Sequence, residues 1–202
     1  MKRFLVLLLV AVMGLSAAEA KVSKKDLKKQ VKSYVKEGWV VPIGSAPIGD
    51  QITRSLEFQQ ALDDNGEPKY VIGEAMSIVE NYDAAHFQAV ELVKLDIAGR
   101  MASDVTALIN NNVANKQLGE EQAASLVKTV AGGKSLISAK LGRIVELVNV
   151  YRKTKAKTVE VRMVCSYNYK NAMKAAHAAI REELEKESNE LVGQLDKALG
   201  LK

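Results

Sequence analysis

The longest helical pattern of the sequence begins at Asp83 and continues to about Asn112. Apolar residues recur along it at spacings of three, four or seven, which is the period of one side of an α-helix. They are Phe87, Val90, Ile97, Met101, Val105 and Leu108. About 30 residues at 1.5 Å each make a helix of roughly 45 Å. A helix of that length with one apolar stripe needs a partner surface, and we expect it to cover a β-sheet.

Three segments of the sequence have the pattern of β-strands. They are Tyr70 to Val79, Arg143 to Arg152 and Thr158 to Tyr169, and a basic turn at 153–157 joins the last two. In the third segment Val159, Val161 and Met163 alternate with polar residues, a period that predicts one buried face and one solvated face. With the long helix, these segments predict an α+β fold: an antiparallel sheet of about three to four strands covered by that helix.

Further helices are predicted on both sides of this core. They span residues 21–37, 45–62, 120–131 and 171–199, and the first ends at Gly38. After it, Trp39 and Val40 begin an apolar run that Pro42 closes, which predicts an edge strand or a strap across the core. No repeat or linker divides the sequence. Residues 21–202 are therefore predicted to form a single α+β domain with helical N- and C-terminal extensions.

The first twenty residues have the three parts of a secretory signal peptide. Lys2 and Arg3 precede an apolar stretch from Phe4 to Leu15, and small residues lead to Ala20, where cleavage is expected. The apolar stretch is shorter than the roughly 20 residues of a membrane-spanning helix. We therefore expect residues 1–20 to be removed and the chain to be exported to the periplasm, the cell envelope or the medium. Because no cysteine follows Ala20, a lipid anchor is not expected.

The predicted helix at residues 21–37 is basic. Seven lysines surround its narrow apolar side, namely Lys21, Lys24, Lys25, Lys28, Lys29, Lys32 and Lys36. A basic amphipathic helix can lie on an anionic membrane or glycan surface. Two interpretations remain open: the lysines form the solvated face of a helix packed on the core, or they bind an anionic membrane or cell-wall surface. The chain's net charge of +5 is too small to indicate a nucleic-acid partner.

Residues typical of metal, cofactor or catalytic sites form no recognisable set. The segment 128–135 resembles a phosphate-binding loop but lacks its first glycine. The turn at 63–67 resembles a calcium loop but lacks the ligands at both ends. His86 and His177, the only histidines, lie on different predicted helices, which gives no reason to expect a metal site. We therefore expect no metal, no cofactor and no catalytic residue, and thus a protein that is not an enzyme.

Two features bear on association between copies of the chain. Cys165 is the only cysteine, so a disulfide can form only between chains, and its position on the buried face of a predicted strand favours a buried thiol. The acidic part of the last predicted helix, residues 182–190, is opposite in charge to the lysines of 21–37. This complementarity makes a homo-oligomer a hypothesis.

The region from Trp39 to about Tyr169 has a recognisable layout. Its marks are Trp39 before Pro42, Gly73 and Ala75 in the first strand, Asp83-Ala84-Ala85 followed by Ala89, Ala98 and Arg100 in the long helix, and Val150-Tyr151-Arg152 before the last strand. This layout resembles the bacterial family of twenty-kilodalton membrane-associated lipoproteins and their unlipidated relatives. The resemblance implies an envelope-associated α+β domain and carries no catalytic residues. It does not imply lipid anchoring here, because the cysteine of the lipoprotein members is absent.

The sequence thus predicts an exported, non-enzymatic structural or binding protein of the envelope or periplasm, whose partner is an unidentified envelope component or protein. The alternative is a small-ligand binding module with a cleft near Trp39, Tyr167 and Tyr169. A deep pocket with convergent polar groups would favour this alternative, whereas a filled core and an exposed patch would favour the first interpretation.

Overall fold

The computed structural model describes residues 24–200. The helices are α1 (Lys24–Lys36), α2 (Ile48–Gln60), α3 (Tyr82–Ala114), α4 (Glu120–Gly132), α5 (Lys134–Lys140), α6 (Tyr169–Glu185) and α7 (Asn189–Ala198). The strands are β1 (Tyr70–Val79), β2 (Val145–Lys153) and β3 (Val159–Asn168). The predicted α+β fold, with an antiparallel sheet and a long helix packed on it, is confirmed. The predicted signal peptide at 1–20 lies outside the described residues.

The three strands form one antiparallel sheet in the order β1-β3-β2. β1 pairs with β3 along its whole length, from Tyr70 opposite Asn168 to Val79 opposite Val159. β2 has a register shift between Glu146 and Val148. A bridge between Val40 and Tyr151 adds the predicted apolar run after α1 to the outer edge of β2.

We call the side of the sheet that packs on α3 the inner face. Its strand residues include Val71, Gly73, Val161, Met163 and Cys165, and all are buried. A methyl group at Gly73 would lie 2.7 Å from Cγ1 of Ile97, so only glycine permits this approach of α3 to β1. The helix contributes Ala85, Ala89, Val93, Ile97, Ala98, Met101, Ala102, Val105 and Ile109 to the buried surface.

The second half of α3 is enclosed by the four helices α4 to α7. Leu126 of α4, Ile137 of α5, Ile180 of α6 and Leu195 of α7 have no solvent exposure and join the same apolar cluster as the inner face. The long helix is therefore buried against the sheet near its start and against other helices near its end.

The predicted apolar stripe of α3 is partly wrong. Phe87 is 70% exposed and Leu108 is 37% exposed, whereas Ala85 and Ala89 are fully buried. The start of α3 lies close to β1, since Oγ of Ser77 donates a hydrogen bond to the carbonyl of Ala85, and this spacing favours small side chains at that contact. Large apolar residues at neighbouring positions of the helix are turned outward.

The other side of the sheet, which we call the outer face, is not solvated as predicted. Trp39, Val148, Val150 and Val164 form a second buried cluster there, packed against Tyr34, Val41, Ile48 and Ile72. Glu160 is also buried, and its Oε2 accepts a hydrogen bond of 2.6 Å from Nε of Arg152. The polar and apolar residues of the strands alternate as in a sheet with one solvated face. The prediction was wrong because α2 and the segment after α1 cover that face.

The single helix predicted at 171–199 is also wrong, since α6 ends at Glu185 and α7 begins at Asn189. The side chain of Ser188 accepts a hydrogen bond from the backbone N–H of Glu190 and caps α7. Instead of extending past the core, α7 packs back on it and buries Val192, Leu195 and Ala198. The free energy gained by burying this apolar side of α7 is larger than the cost of interrupting the helix.

Candidate functional site

Five lysines on one side of α1 form what we call the basic face: Lys25, Lys28, Lys29, Lys32 and Lys36. All five are exposed. At 100° per residue they fall within an arc of about 100° of the helix circumference. Of the other two predicted lysines, Lys24 is the first residue of α1 and Lys21 lies outside the described residues. The helix holds six lysines and one aspartate, a net +5 that equals the net charge of the whole chain.

The side of α1 opposite the basic face attaches the helix to the fold. Val31 and Tyr34 are half-buried there. Cγ2 of Val31 lies 3.6 Å from the position that a methyl group would take at Gly49, near the start of α2. The guanidinium of Arg162 lies 5.3 Å from the centre of the Tyr34 ring, and burial raises the pKa of Tyr34. These contacts orient α1 so that its lysines point away from the core.

The acidic residues at the ends of α1 are held by other contacts. Glu37 accepts hydrogen bonds from Oγ of Ser33 at 2.7 Å and from Nε1 of Trp39 at 3.2 Å. These two bonds, the one from Ser33 first, lower the pKa of Glu37. Asp26 lies 3.9 Å from Nζ of Lys29, and both side chains are exposed. An exposed pair of this kind contributes little free energy and is weakened by salt.

The three aromatic residues of the predicted cleft are not brought together. Trp39 is buried in the outer-face cluster, with the guanidinium of Arg152 4.3 Å from its ring centre. Tyr167 and Tyr169 instead pack against the inner-face core. The hydroxyl of Tyr167 accepts a hydrogen bond of 3.2 Å from the backbone N–H of Gly142. A common cleft lined by Trp39 and the two tyrosines is therefore not formed.

Tyr169 does line a groove, with a volume of about 640 Å³, beside the start of β1. Tyr70 and Val71 of β1 and Asp104 of α3 line it as well. The Tyr169 hydroxyl donates a hydrogen bond of 3.0 Å to Oδ2 of Asp104. Burial, followed by this bond to Asp104, raises the pKa of Tyr169 to about 12. Its phenol therefore remains neutral at physiological pH.

A polar cluster that the sequence did not predict surrounds His86. Nε2 of His86 lies 3.3 Å from Oε1 of Glu146. Nδ2 of Asn149 donates hydrogen bonds to Oε2 of Glu146 at 3.2 Å and to the hydroxyl of Tyr82 at 3.0 Å. The backbone N–H of Asn149 donates to Oε1 of Gln51 at 2.8 Å. The cluster joins the start of α3 to β2 and α2, and Glu146 and Asn149 line a cavity of about 240 Å³.

The chemistry available to this cluster is limited by its hydroxyl group. Burial raises the pKa of Tyr82, so its phenol keeps its proton at neutral pH. Nucleophilic catalysis needs a nucleophile next to a base that can take its proton. The Tyr82 hydroxyl is paired with Asn149, while the imidazole of His86 is paired with Glu146. These contacts link the start of α3 to β2.

His177 also has a carboxylate partner, on a different part of the molecule. Its Nε2 lies 2.6 Å from Oδ1 of Asp196, and Nη1 of Arg181 lies 3.3 Å from Oδ2 of the same residue. Asp196 belongs to α7, whereas His177 and Arg181 belong to α6. These contacts fix the packing of the two terminal helices. No local sequence pattern indicated them, because they depend on the break between α6 and α7.

Cys165 is buried, as predicted. Burial is the main reason that its pKa is raised from 9.0 to about 12, with a smaller contribution from the charge of Glu146. Because the thiolate is the reactive form, this thiol is expected to be inert at neutral pH.

Within residues 24–200 no three or more histidine, cysteine, aspartate or glutamate side chains are placed to hold a metal ion. In the same part of the chain, no helix is long and apolar enough to cross a membrane. Comparisons with protein families, with curated proteins and with solved structures find no match.

Proposed function

We propose that this chain is an exported, non-enzymatic binding protein of the bacterial envelope, and that the basic face of α1 holds it on an anionic surface. The observation that carries this proposal is the division of α1 into two sides. Val31 and Tyr34 attach one side to the fold, and five exposed lysines occupy the other.

Charge distribution supports the proposal. Since α1 alone carries a net charge equal to that of the chain, the remaining residues sum to zero. The positive potential is therefore concentrated on one short helix instead of being spread over the surface. Such a patch attracts a surface that carries many negative charges, and the attraction weakens as salt is added.

The test is a binding titration with charge-neutral variants. The triple variant Lys28→Gln, Lys32→Gln, Lys36→Gln removes three of the five lysines of the basic face. Each lysine near an anionic surface contributes about 1 kcal/mol, so we expect affinity for dextran sulfate and for phosphatidylglycerol vesicles to fall about a hundredfold. Affinities are compared by sedimentation at low salt.

The chain offers a matched control at the end of β2 and in the turn that follows it. Lys153, Lys155 and Lys157 are exposed, so their replacement by glutamine removes the same charge from another site. We expect that variant to bind within about threefold of the unmodified protein. Equal losses in both triple variants would show that binding follows net charge alone and would contradict the proposal.

Export is tested separately by expressing the full sequence in a bacterial host and fractionating the cells. The protein is expected in the periplasmic extract or the medium, with Lys21 as its first residue. A full-length product confined to the cytoplasm would contradict this part of the proposal.

A second candidate function is the binding of a small ligand, favoured by the groove of about 640 Å³ beside β1. Of the three aromatic residues of the predicted cleft, Tyr169 is the one that lines this groove. A ligand in this groove would stabilise the folded state and raise the melting temperature. Thermal shifts across a small-molecule library, repeated with Tyr169→Ala, test this candidate.

A further inference from the structure

An exposed isoleucine lies in the loop that follows the basic helix. The loop makes a tight turn in which the backbone N–H of Ser45 donates to the carbonyl of Pro42 at 3.1 Å. Gly44 occupies the third position of this turn with φ +83°, a value that favours glycine. The turn holds Ile43 near its apex, where the side chain is fully exposed. Transfer of this side chain from water to an apolar phase would be favourable, because its whole apolar surface is accessible.

Two further exposed apolar residues lie close to this turn along the chain. Val35, in the last turn of α1, is 63% exposed, and Val40 is 48% exposed. Val40 is held in place by its bridge to Tyr151 at the edge of the sheet. On the helix circumference Val35 falls between Val31 and Lys28. It therefore borders the basic face directly.

The Ile43 turn follows α1 closely along the chain. The segment leaves the helix at Gly38, and Gly49 again faces Val31 in the middle of α1. The connection between α1 and α2 therefore begins at the end of α1 and ends at a part of α2 that lies next to α1. Ile43 follows Lys36, the last lysine of the basic face, by seven residues, so the chain keeps the two within about 25 Å of each other.

We propose that the basic face and the Ile43 turn together dock on a lipid bilayer that contains anionic phospholipid. This rests on the proposed function and names the partner of the same site. The lysines meet the phosphate groups of the lipids, and Ile43 and Val35 enter the region between headgroups and acyl chains. Positive charge next to exposed apolar side chains is the combination that binds a bilayer interface. A soluble polyanion matches only the charges and leaves Ile43 in water.

The first experiment separates the apolar contribution from the electrostatic one. The exported form of the protein is titrated with vesicles of phosphatidylcholine and phosphatidylglycerol at 70:30 by mole, and with dextran sulfate. We expect Ile43→Ser to weaken binding to the vesicles about tenfold, since an isoleucine contributes through the apolar area that it buries, and to leave binding to dextran sulfate unchanged. Leu136→Ser is the matched control, because Leu136 is an exposed apolar residue of α5 and should alter neither affinity.

The second experiment locates the side chain. Ile43→Cys is labelled with an environment-sensitive fluorophore, and burial protects Cys165 from the same reagent. Binding to the mixed vesicles should shift the emission to shorter wavelength, and lipids with a quencher in the acyl chain should reduce its intensity. Vesicles of phosphatidylcholine alone should produce neither change.

The outcomes are distinct. If vesicles and dextran sulfate bind but Ile43→Ser affects neither, the bilayer is overturned as the partner and the basic face remains a general anionic-surface site. If the unmodified protein binds neither probe, both proposals are overturned. If light scattering shows a dimer that Ile43→Ser dissociates, and the emission shift occurs without vesicles, the turn instead contacts a second copy and the bilayer proposal is overturned.

Discussion

The inner and outer faces of the sheet are both covered, but by different kinds of contact. The inner face meets α3 through closely packed apolar atoms, with Gly73 directly against Ile97. The outer face has a smaller apolar cluster, and much of its cover is attached through polar groups. Gln51 of α2 accepts a hydrogen bond of 2.8 Å from the backbone of Asn149, and Nη1 of Arg152 donates one of 3.1 Å to the carbonyl of Glu37, just after α1.

This difference predicts that the two faces contribute unequally to the free energy of unfolding. Contacts made of buried apolar area contribute most to the free energy of unfolding, whereas partly exposed polar pairs contribute little. We therefore expect the inner face to set global stability. The outer face carries α1 and its lysines on contacts that open at lower free energy.

The largest effect is expected from Ile97→Ala, which leaves a cavity at the centre of the inner face. Ile97 has no solvent exposure, so the free energy of unfolding should fall by about 4 kcal/mol. Val164→Ala on the outer face should cost about 2 kcal/mol. Urea denaturation followed by circular dichroism measures both. Equal losses would break the comparison between the two faces.

Trp39→Ala should cost about 3 kcal/mol, and its effect should be local. The ring covers the apolar cluster of the outer face and supports Arg152. Without it, α1 and α2 should lose protection against hydrogen exchange while β3 and α3 keep theirs. Uniform loss of protection over the whole molecule would show that the outer face belongs to the same cooperative unit as the inner face.

Gly73→Ala should cost about 2 kcal/mol, because the added methyl group overlaps Ile97 and approaches the carbonyl oxygen of Val93 to 3.0 Å. Gly99→Ala is the matched control. It lies on the same helix as Ile97, and a methyl group there has open space. Since alanine favours helix, this control should stabilise the protein by about 0.5–1 kcal/mol. The denaturant midpoints of both variants show whether the fold requires the close approach of α3 to β1 at Gly73.

Alkaline pH should destabilise the inner face through Cys165. Its pKa is raised from 9.0 to about 12 in the folded state, so above pH 9 the unfolded chain loses a proton that the folded chain keeps. Stability therefore falls as pH rises from about 9 towards 12, by about 1 kcal/mol between pH 9 and 10. In Cys165→Ala this part of the decrease should disappear. A decrease of the same size in the variant would assign it to other groups.

The smallest effect on stability is expected from the basic face. The triple variant Lys28→Gln, Lys32→Gln, Lys36→Gln should change the free energy of unfolding by less than about 0.5 kcal/mol, because all three side chains are exposed. A larger loss would mean that the lysines support the fold, and the fall in affinity could then no longer be assigned to binding alone.

Local periodicity predicted the elements that depend on neighbouring residues. The strand expected at Tyr70 to Val79 has those bounds, and the long helix expected from Asp83 to Asn112 spans Tyr82–Ala114. The basic helix expected at 21–37 is described from Lys24 to Lys36. In each case the spacing of apolar side chains is a property of the segment itself. The short helix α5 was not predicted, since the two glycines before it indicated only an end.

Contacts between residues far apart in the sequence are not indicated by local periodicity. The pairing of His86 with Glu146 depends on how α3 crosses the sheet, and that of His177 with Asp196 depends on the break before α7. The separation of Trp39 from Tyr167 depends on which face of the sheet each residue joins. Residue types and spacing do not encode these distances.

The sequence by itself determined the α+β class, the three strands, the long helix and the cluster of lysines at 21–36, because these follow from composition and short-range spacing. The tertiary structure alone decided how much of each element is covered and by which other element. It turned Phe87 outward, covered the outer face with Trp39, and attached α1 through Val31 and Tyr34 so that its lysines face solvent. The physical reason is that burial depends on the distance at which two elements pack, and the side chains of both elements together set that distance.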